Sequence, residues 1–219
     1  MNISKMKIEL WIVAAALSVA MCLFSANLKA ELNIDSLKEA RGYYWIGDFK
    51  EGMAWVWKDG YQWFIDWDGK EYGKEREYDN VYPFNEGIAI VCKDNYEWFV
   101  DKEGKEYWKE REYDNVRFFN EGMAPVNKDS IWFFIDKKGT EYWKEREYDN
   151  VYPFKEGMAP VNKDGYWFFI DKEGKEYWKD RKYNFVYSFI EGKAKVMKDG
   201  KIFYINKQGE IVKERRKSN

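Results

Sequence analysis

No histidine occurs among the 219 residues. Ser-His-Asp and Cys-His nucleophilic arrangements are therefore excluded, as are zinc sites that depend on imidazole. Cysteine is almost as scarce. Cys22 and Cys92 are the only two, and Cys22 falls in an N-terminal segment that reads as removable, so no intramolecular disulfide is available to the rest of the chain. A phosphate-cradling loop is missing too, since neither Gly-x-Gly-x-x-Gly nor Gly-Lys-Ser spacing occurs. The chain also lacks a surplus of positive charge: 37 basic residues face 39 acidic ones, for a net charge of −2. That balance excludes the electrostatic footprint of a nucleic-acid binder. The fold must stand on packing. Aromatic residues at 20% of the chain supply the means, because each large ring buries about 150–250 Å².

A long uncharged run appears once, from Leu10 to Phe24, preceded by Lys5 and Lys7 and followed by Leu28-Lys29-Ala30. As a helix these residues rise only about 22 Å, short of a bilayer core of about 30 Å. Residues 1–30 therefore read as a secretory signal peptide cut after a small residue. The expected location is exported: periplasmic, secreted or at the cell surface. Two alternatives stay open. One is an uncleaved N-terminal membrane anchor, and the other is lipidation at Cys22, where Val19-Ala20-Met21-Cys22 loosely resembles a bacterial lipobox. Cleavage after Ala30 removes three lysines and one glutamate and moves the formal charge from −2 to −4.

The remainder repeats every 35 residues without insertion or deletion. Gly52, Gly87, Gly122, Gly157 and Gly192 each close a Phe-x-Glu-Gly element or its variant. A strict period means stacked copies of one supersecondary unit, each too small to bury its apolar face alone. Ala and Val then alternate with variable residues, as in Met53-Ala54-Trp55-Val56 and Met123-Ala124-Pro125-Val126. Such restraint predicts a strand with one buried face, with Pro125 and Pro160 marking an edge or an unpaired N–H. A two-residue hairpin turn is expected at Asp59-Gly60 and its equivalents. Ser130 fits that geometry least well and points to a different turn in the third copy. The return strand, Trp63-Phe64-Ile65-Asp66 and its copies, is apolar on both faces and is expected to be central. Asp-x-x-Gly makes a second turn, and a short third strand carries Tyr72, Tyr107, Tyr142 and Tyr177.

The fold class expected is all-β: a tandem array of five 35-residue antiparallel meander or hairpin repeats over residues 41–215. An open twisted, solenoid-like array is preferred to a closed five-bladed ring, because 35 residues is short for a four-stranded blade of about 40–45. Residues 31–40 read as an N-terminal lid with Asp35 or Ser36 capping a helical turn, and 216–219 as a C-terminal tail. The divergent last copy, with Lys193 and Lys195 at normally apolar positions, reads as a polar cap.

The pattern Tyr-Asp-Asn-Val-x-x-Phe-x-Glu-Gly-Met-Ala-x-Val, then Lys-Asp-Gly, an aromatic pair and Ile-Asp-x-x-Gly-Lys-Glu, resembles the bacterial WG repeat, also called the KWG repeat. The resemblance covers all five copies. The Trp-Gly dipeptide of that family is replaced here by Gln62-Trp63, Glu97-Trp98, Trp132-Phe133, Trp167-Phe168 and Ile202-Phe203, which implies a thicker, more aromatic core. Membership implies an all-β array and carries over no catalytic residue.

No catalytic residue, cofactor or metal is assigned. Asp66-x-Asp68-Gly69 invites a calcium reading, but later copies place lysine inside the loop, as in Asp101-Lys102-Glu103, and calcium wants six to eight oxygens. An ordinary turn is the better reading. The Phe-x-Glu-Gly glutamates (Glu51, Glu86, Glu121, Glu156, Glu191) and the linker arginines are expected to form an inter-repeat ladder. The candidate binding residues are the aromatics at variable positions: Trp55, Trp57, Tyr61, Tyr96, Trp132, Tyr166 and Trp167. Other copies tolerate polar residues there, so at least partial exposure is expected, for stacking on sugars or anchoring a protein. The expected function is a non-catalytic scaffold or binding surface for a protein partner. A cell-wall or glycan-binding module is the alternative, and a carboxylate-based glycoside hydrolase a remote one.

Overall fold

The computed structural model describes residues 34–212. The expected signal peptide, Cys22 and the C-terminal tail lie outside these residues. Among the described residues no helix is long and apolar enough to cross a membrane.

The first unit is a sheet of four antiparallel strands in sequence order: β1 (Trp45–Ile46), β2 (Met53–Lys58), β3 (Tyr61–Asp66) and β4 (Glu71–Tyr72). The same sheet recurs over 80–107, 115–142, 150–177 and 185–212, with three-residue 3₁₀ turns such as Lys74–Arg76 between them. The fourth strand differs from the three-strand meander expected. It comes from the Tyr-Asp-Asn-Val stretch, whose Asn80 and Val81 pair with Cys92 and Val91 of the second unit. Two polar-flanked residues read as a linker in sequence, and only the neighbouring strand makes them a β-strand.

The hairpin turns follow the expected chemistry. Asp59 and Gly60 both take positive φ, at 53° and 90°, as a type I′ turn requires. Ser130 departs from expectation: its φ of 67° keeps the common turn despite its Cβ, because five-fold repetition of the flanking strands fixes the geometry. The Phe-x-Glu-Gly element is a second tight turn of the same kind, with Glu51 at 53° and Gly52 at 87° and reciprocal backbone hydrogen bonds between Lys50 and Met53.

The cores lie between the sheets rather than within them. Met53 and Phe64 of the first unit pack with Tyr78, Phe84, Ala89, Val91 and Trp98 of the second, and the pattern repeats at each joint. Ala and Val of the β2-type strand therefore face the preceding unit, while Met and the variable residue face the next. Pro125 and Pro160 are accordingly buried, on an inner strand and not at an edge. The carbonyl of Pro125 accepts from Arg117 N at 2.9 Å, so its nitrogen points to the same side, just past the end of the two-residue outer strand. No ladder donor is lost there.

Large rings replacing the family's glycine fill these joints: Trp63, Trp98, Phe133 and Phe168 are buried. Each meets a buried tyrosine edge-on, Trp63 with Tyr43 at 5.9 Å and Phe133 with Tyr113 at 6.2 Å.

No sheet closes into a barrel, and the array is open. The face of the first sheet that has no preceding unit, with Tyr43, Ala54, Val56, Trp63 and Ile65, is covered by Leu37 from a helix over 34–41. Asp35 and Ser36 lie inside this helix, not ahead of it as a cap. At the other end, Lys193 and Lys195 stand where Met158 and Pro160 face a following unit, which suits a terminal sheet.

Candidate binding surface

Trp57, Tyr61, Tyr96 and Tyr166 are exposed, as the comparison of copies anticipates. Trp55 is half-buried against the joint between the first two units. Trp167 contradicts the expectation of exposure: it is 7% exposed, stacked on Tyr152 at 5.3 Å and edge-on to Phe185 at 5.3 Å. Trp132 is half-buried beneath Arg117, whose guanidinium lies 4.4 Å from its ring and 4.7 Å from that of Tyr152.

The reason lies in what the polar copies of this position do. The side chain of Gln62 accepts from Val81 N at 3.1 Å, and Glu97 accepts from Val116 N at 2.7 Å. Burial pushes the Glu97 carboxyl above its ordinary value against the lowering effect of that hydrogen bond. A polar side chain bonds the backbone of the next unit, and an aromatic one stacks on its rings. Variation here records two ways of sealing one joint. Arg117 belongs to the second way, held by Asn150 Oδ1 at 3.0 Å and by the carbonyl of Val151, with burial pulling its guanidinium below the usual value.

Exposed rings concentrate on the first unit. Tyr44 and Trp45 are 59% and 53% exposed, beside Trp57 at 43%. Trp45 pairs across strands with Trp57, whose ring lies 5.5 Å from that of Tyr44, and Lys38 Nζ sits 5.6 Å from the Trp45 ring. Trp67 is exposed too, stacked flat on Phe49 at 3.6 Å. Tyr44, Trp45 and Trp67 escape the sequence-based set, although the signal was present: the positions of Tyr44 and Trp45 read Asp79-Asn80, Asp114-Asn115 and Asp149-Asn150 in the next three units.

The glutamate ladder exists, with different partners. Glu51 Oε2 accepts from Gly87 N at 2.9 Å, and Glu86 accepts from Glu121 N at 2.6 Å and Gly122 N at 3.0 Å. The cations are Lys102 and Lys137, at 3.3 and 3.2 Å from Glu51 and Glu86. Burial pushes the Glu51 carboxyl up, but the Gly87 N–H and Lys102 outweigh it and hold the group below the ordinary value. The linker arginines serve a separate series: Arg76 meets Glu106 at 2.6 Å and Arg111 meets Glu141 at 3.3 Å. Glu86→Ala is expected to destabilise by about 1–2 kcal/mol, since two turn N–H groups lose their acceptor. A lowered urea midpoint with an unchanged slope checks it.

The Asp-x-x-Gly carboxylate is consumed by its own turn. Asp66 Oδ1 accepts from Asp68 N and Lys70 N, each at 3.0 Å, and Oδ2 accepts from the Tyr72 hydroxyl at 2.9 Å. A cleft of 520 Å³ lies beside the second hairpin, lined by Lys93, Asp94, Tyr96, Trp98, Lys109, Glu110 and Glu112. Its three carboxylates are all exposed, and Lys109 Nζ covers the Trp98 ring at 4.8 Å.

The sequence pattern of the WG containing repeat matches residues 42–61, 64–96, 99–130, 132–167 and 167–201. The chain belongs to the WG-repeat family. No curated protein matches this WG-repeat chain. Among solved structures it is similar to PorZ, a surface component of the type-IX secretion system of Porphyromonas gingivalis, at 8% identity and a TM-score of 0.46, covering 76% of this chain and 27% of PorZ. It is also similar to the extracellular domain of BT4673 from B. thetaiotaomicron, at 13% identity and a TM-score of 0.44 over 79% of this chain and 29% of that one. The WD40 domain of SCAP from fission yeast matches at 10% identity and a TM-score of 0.42, with 78% and 55% covered. The WG-repeat chain thus spans under a third of the first two structures and about half of the third.

Proposed function

We propose that this WG-repeat chain is an exported, non-catalytic binding module that docks a protein partner on the rim of its first unit. The observation that carries the reading is the exposed cluster of Tyr44, Trp45 and Trp57, where the next three units carry Asp and Asn at the positions of the first two. Amphipathic rings beside Lys38 supply the anchors that dominate protein interfaces. Export rests on the Lys5, Lys7 and Leu10–Phe24 pattern. The non-catalytic reading is supported by the absence of histidine and by the use of Glu97, whose carboxyl burial raises, as the acceptor for Val116 N inside a joint between units.

A glycan-binding reading has its own support. Tyr61, Tyr96 and Tyr166 are exposed at equivalent hairpin positions, a spacing that suits a polymer.

Trp45→Ala with Trp57→Ala is expected to lower partner affinity by about 30-fold or more, as loss of anchors worth about 2 kcal/mol or more does. The check is capture of envelope proteins on the immobilised chain, parent against double variant. Equal capture by both overturns the docking reading. Retention of the parent on purified cell-wall polysaccharide, lost on replacing Tyr61, Tyr96 and Tyr166, establishes the glycan reading in its place.

A further inference from the structure

Five equivalent glycines close the Asp-x-x-Gly turns, with Asn206 in place of Asp in the last, and four of them are buried: Gly69, Gly139, Gly174 and Gly209. Gly104 alone is half-exposed. The cover differs accordingly. The indole Nε1 atoms of Trp108, Trp143 and Trp178 occupy the space that a Cβ would take on Gly139, Gly174 and Gly209, and Leu37 presses on Gly69. Over Gly104 nothing lies within 4 Å of that position, because the residue that should supply the indole is Gly73.

The three filled seats are near-identical. Trp108 lies 5.6 Å from Phe99 and 6.2 Å from Phe119. Trp143 lies 5.6 Å from Phe134 and 6.3 Å from Phe154, and Trp178 lies 5.6 Å from Phe169 and 6.3 Å from Phe189. A guanidinium completes each: Arg111 stands 5.9 Å from the Trp108 ring and donates to Gly139 O at 2.9 Å, and Arg146 and Arg181 do the same at their glycines. In the seat at Gly104 the walls remain, with Phe64 and Phe84 packed at 4.8 Å and Tyr72 beside them. Arg76 instead turns to Glu106, and among the described hydrogen bonds none reaches Gly104 O.

We propose that the gap between Gly73 and Gly104 is a binding seat for an indole group, a fused planar ring with an N–H donor. The chain itself specifies the ligand, since it fills the same walls with indole three times. Phe64 and Phe84 are 3% and 1% exposed, so the open part of the seat is the space above Gly104, the half-buried rim at Tyr72 and the Gly104 carbonyl, which suit a ring that is apolar on its faces and a donor at one edge. The seat lies at the β4 edge of the sheets, opposite the β1 edge that carries Trp45, so it stands independently of the protein-docking reading.

The experiment is fluorine NMR of 5-fluoroindole with the chain over 34–212 in its full-length context. Saturable line broadening is expected with the parent and is lost in Gly73→Trp. A Cβ on Gly73 would lie 3.1 Å from Tyr78 Cε2, so that buried ring must give by a few tenths of an ångström, while the backbone conformation is one that Trp108, Trp143 and Trp178 already hold at φ of 57–58°, against 75° for Gly73. The circular dichroism of Gly73→Trp is expected to match that of the parent, which separates a filled seat from a lost fold. Trp143→Gly is expected to open a second seat and double the stoichiometry. Displacement of the probe by N-acetyl-tryptophanamide identifies a tryptophan side chain as the natural source, and failure to displace it identifies a free indole. Absence of saturable broadening with the parent, or undiminished broadening with Gly73→Trp, overturns the proposal.

Discussion

Replacing Phe134 by alanine is expected to cost about 3–5 kcal/mol, a large part of the roughly 5–15 kcal/mol that holds a typical domain together. Phe134 is fully buried and sits in the joint between the third and fourth sheets, 5.0 Å from Phe154 and 5.6 Å from Trp143. Removing its ring leaves a cavity that the flanking sheets cannot close without losing Tyr148, Val151 and Phe168 from the same cluster. The position matters beyond the magnitude. Each core here is shared by two units, so stability is a sum of nearest-neighbour terms, and weakening one joint uncouples the units on either side. Urea unfolding followed by two probes is expected to lose its coincidence in Phe134→Ala, with a lower midpoint for 150–212 than for the N-terminal units. A loss below about 0.5 kcal/mol, within the range of ordinary surface changes, would show that the joint is not the unit of stability. Ile202→Ala is the control. Ile202 occupies the register of Trp132 and Trp167 but is exposed, and its loss is expected to stay within about 0.5 kcal/mol.

Turns and strand faces were legible because each depends on neighbours in sequence. Asp-Gly dictates positive φ locally, and the alternation of Ala54 with Val56 states which side is buried. The resemblance carried by Phe-x-Glu-Gly-Met-Ala reached the family for the same reason. What escaped depends on contacts between copies. Variability at Gln62, Glu97, Trp132 and Trp167 reads as freedom, yet Glu97 and Trp167 both face the next unit, one bonding Val116 N and the other stacking on Tyr152. A position can tolerate both kinds of side chain without being exposed when it meets a backbone donor and an aromatic ring at once. Pro125 answers to the second of its two readings, a position that needs no donor, and not to the first, an edge. The Tyr44–Trp45 cluster lies in a stretch that reads as linker in the other copies, and its signal is the contrast with Asp79-Asn80 at the same positions. The seat at Gly104 is a property of the stacked sheets: the period equates Gly73 with Trp108, but only the stacking places Trp108 over a glycine of the next sheet and leaves Gly104 without such a cover.

Stability is expected to collapse on the alkaline side, through the tyrosines that repeat at each joint. Burial raises Tyr43, Tyr78, Tyr113 and Tyr148 above their ordinary value, Tyr148 to about 12. Tyr43 and Tyr78 are raised further because their hydroxyls donate to Glu71 and Glu106, at 2.6 and 2.8 Å. For Tyr113 and Tyr148 the neighbouring Arg111 and Arg146 oppose the rise. The sign follows from linkage. In the unfolded chain a tyrosine loses its proton near pH 10, while the folded state retains it, so between the two values the unfolded state binds fewer protons and unfolding is favoured as pH rises. The full contribution is present below about pH 10 and is lost through about pH 12. Tyr148, raised to about 12, contributes on the order of 2–3 kcal/mol at about 1.4 kcal/mol per pH unit, and the other raised tyrosines add to it against a total domain stability of about 5–15 kcal/mol. Circular dichroism is therefore expected to change in one cooperative step above pH 10, together with the part of the phenolate absorbance that belongs to the buried tyrosines. Tyr148→Phe removes one ionisation and is expected to shift that step to higher pH, provided the ring still packs on Phe168, 6.2 Å away. Gradual titration of the joint tyrosines near pH 10 with the fold intact would mean that these hydroxyls are hydrated, and that the joints are more open than a stack of sealed aromatic layers.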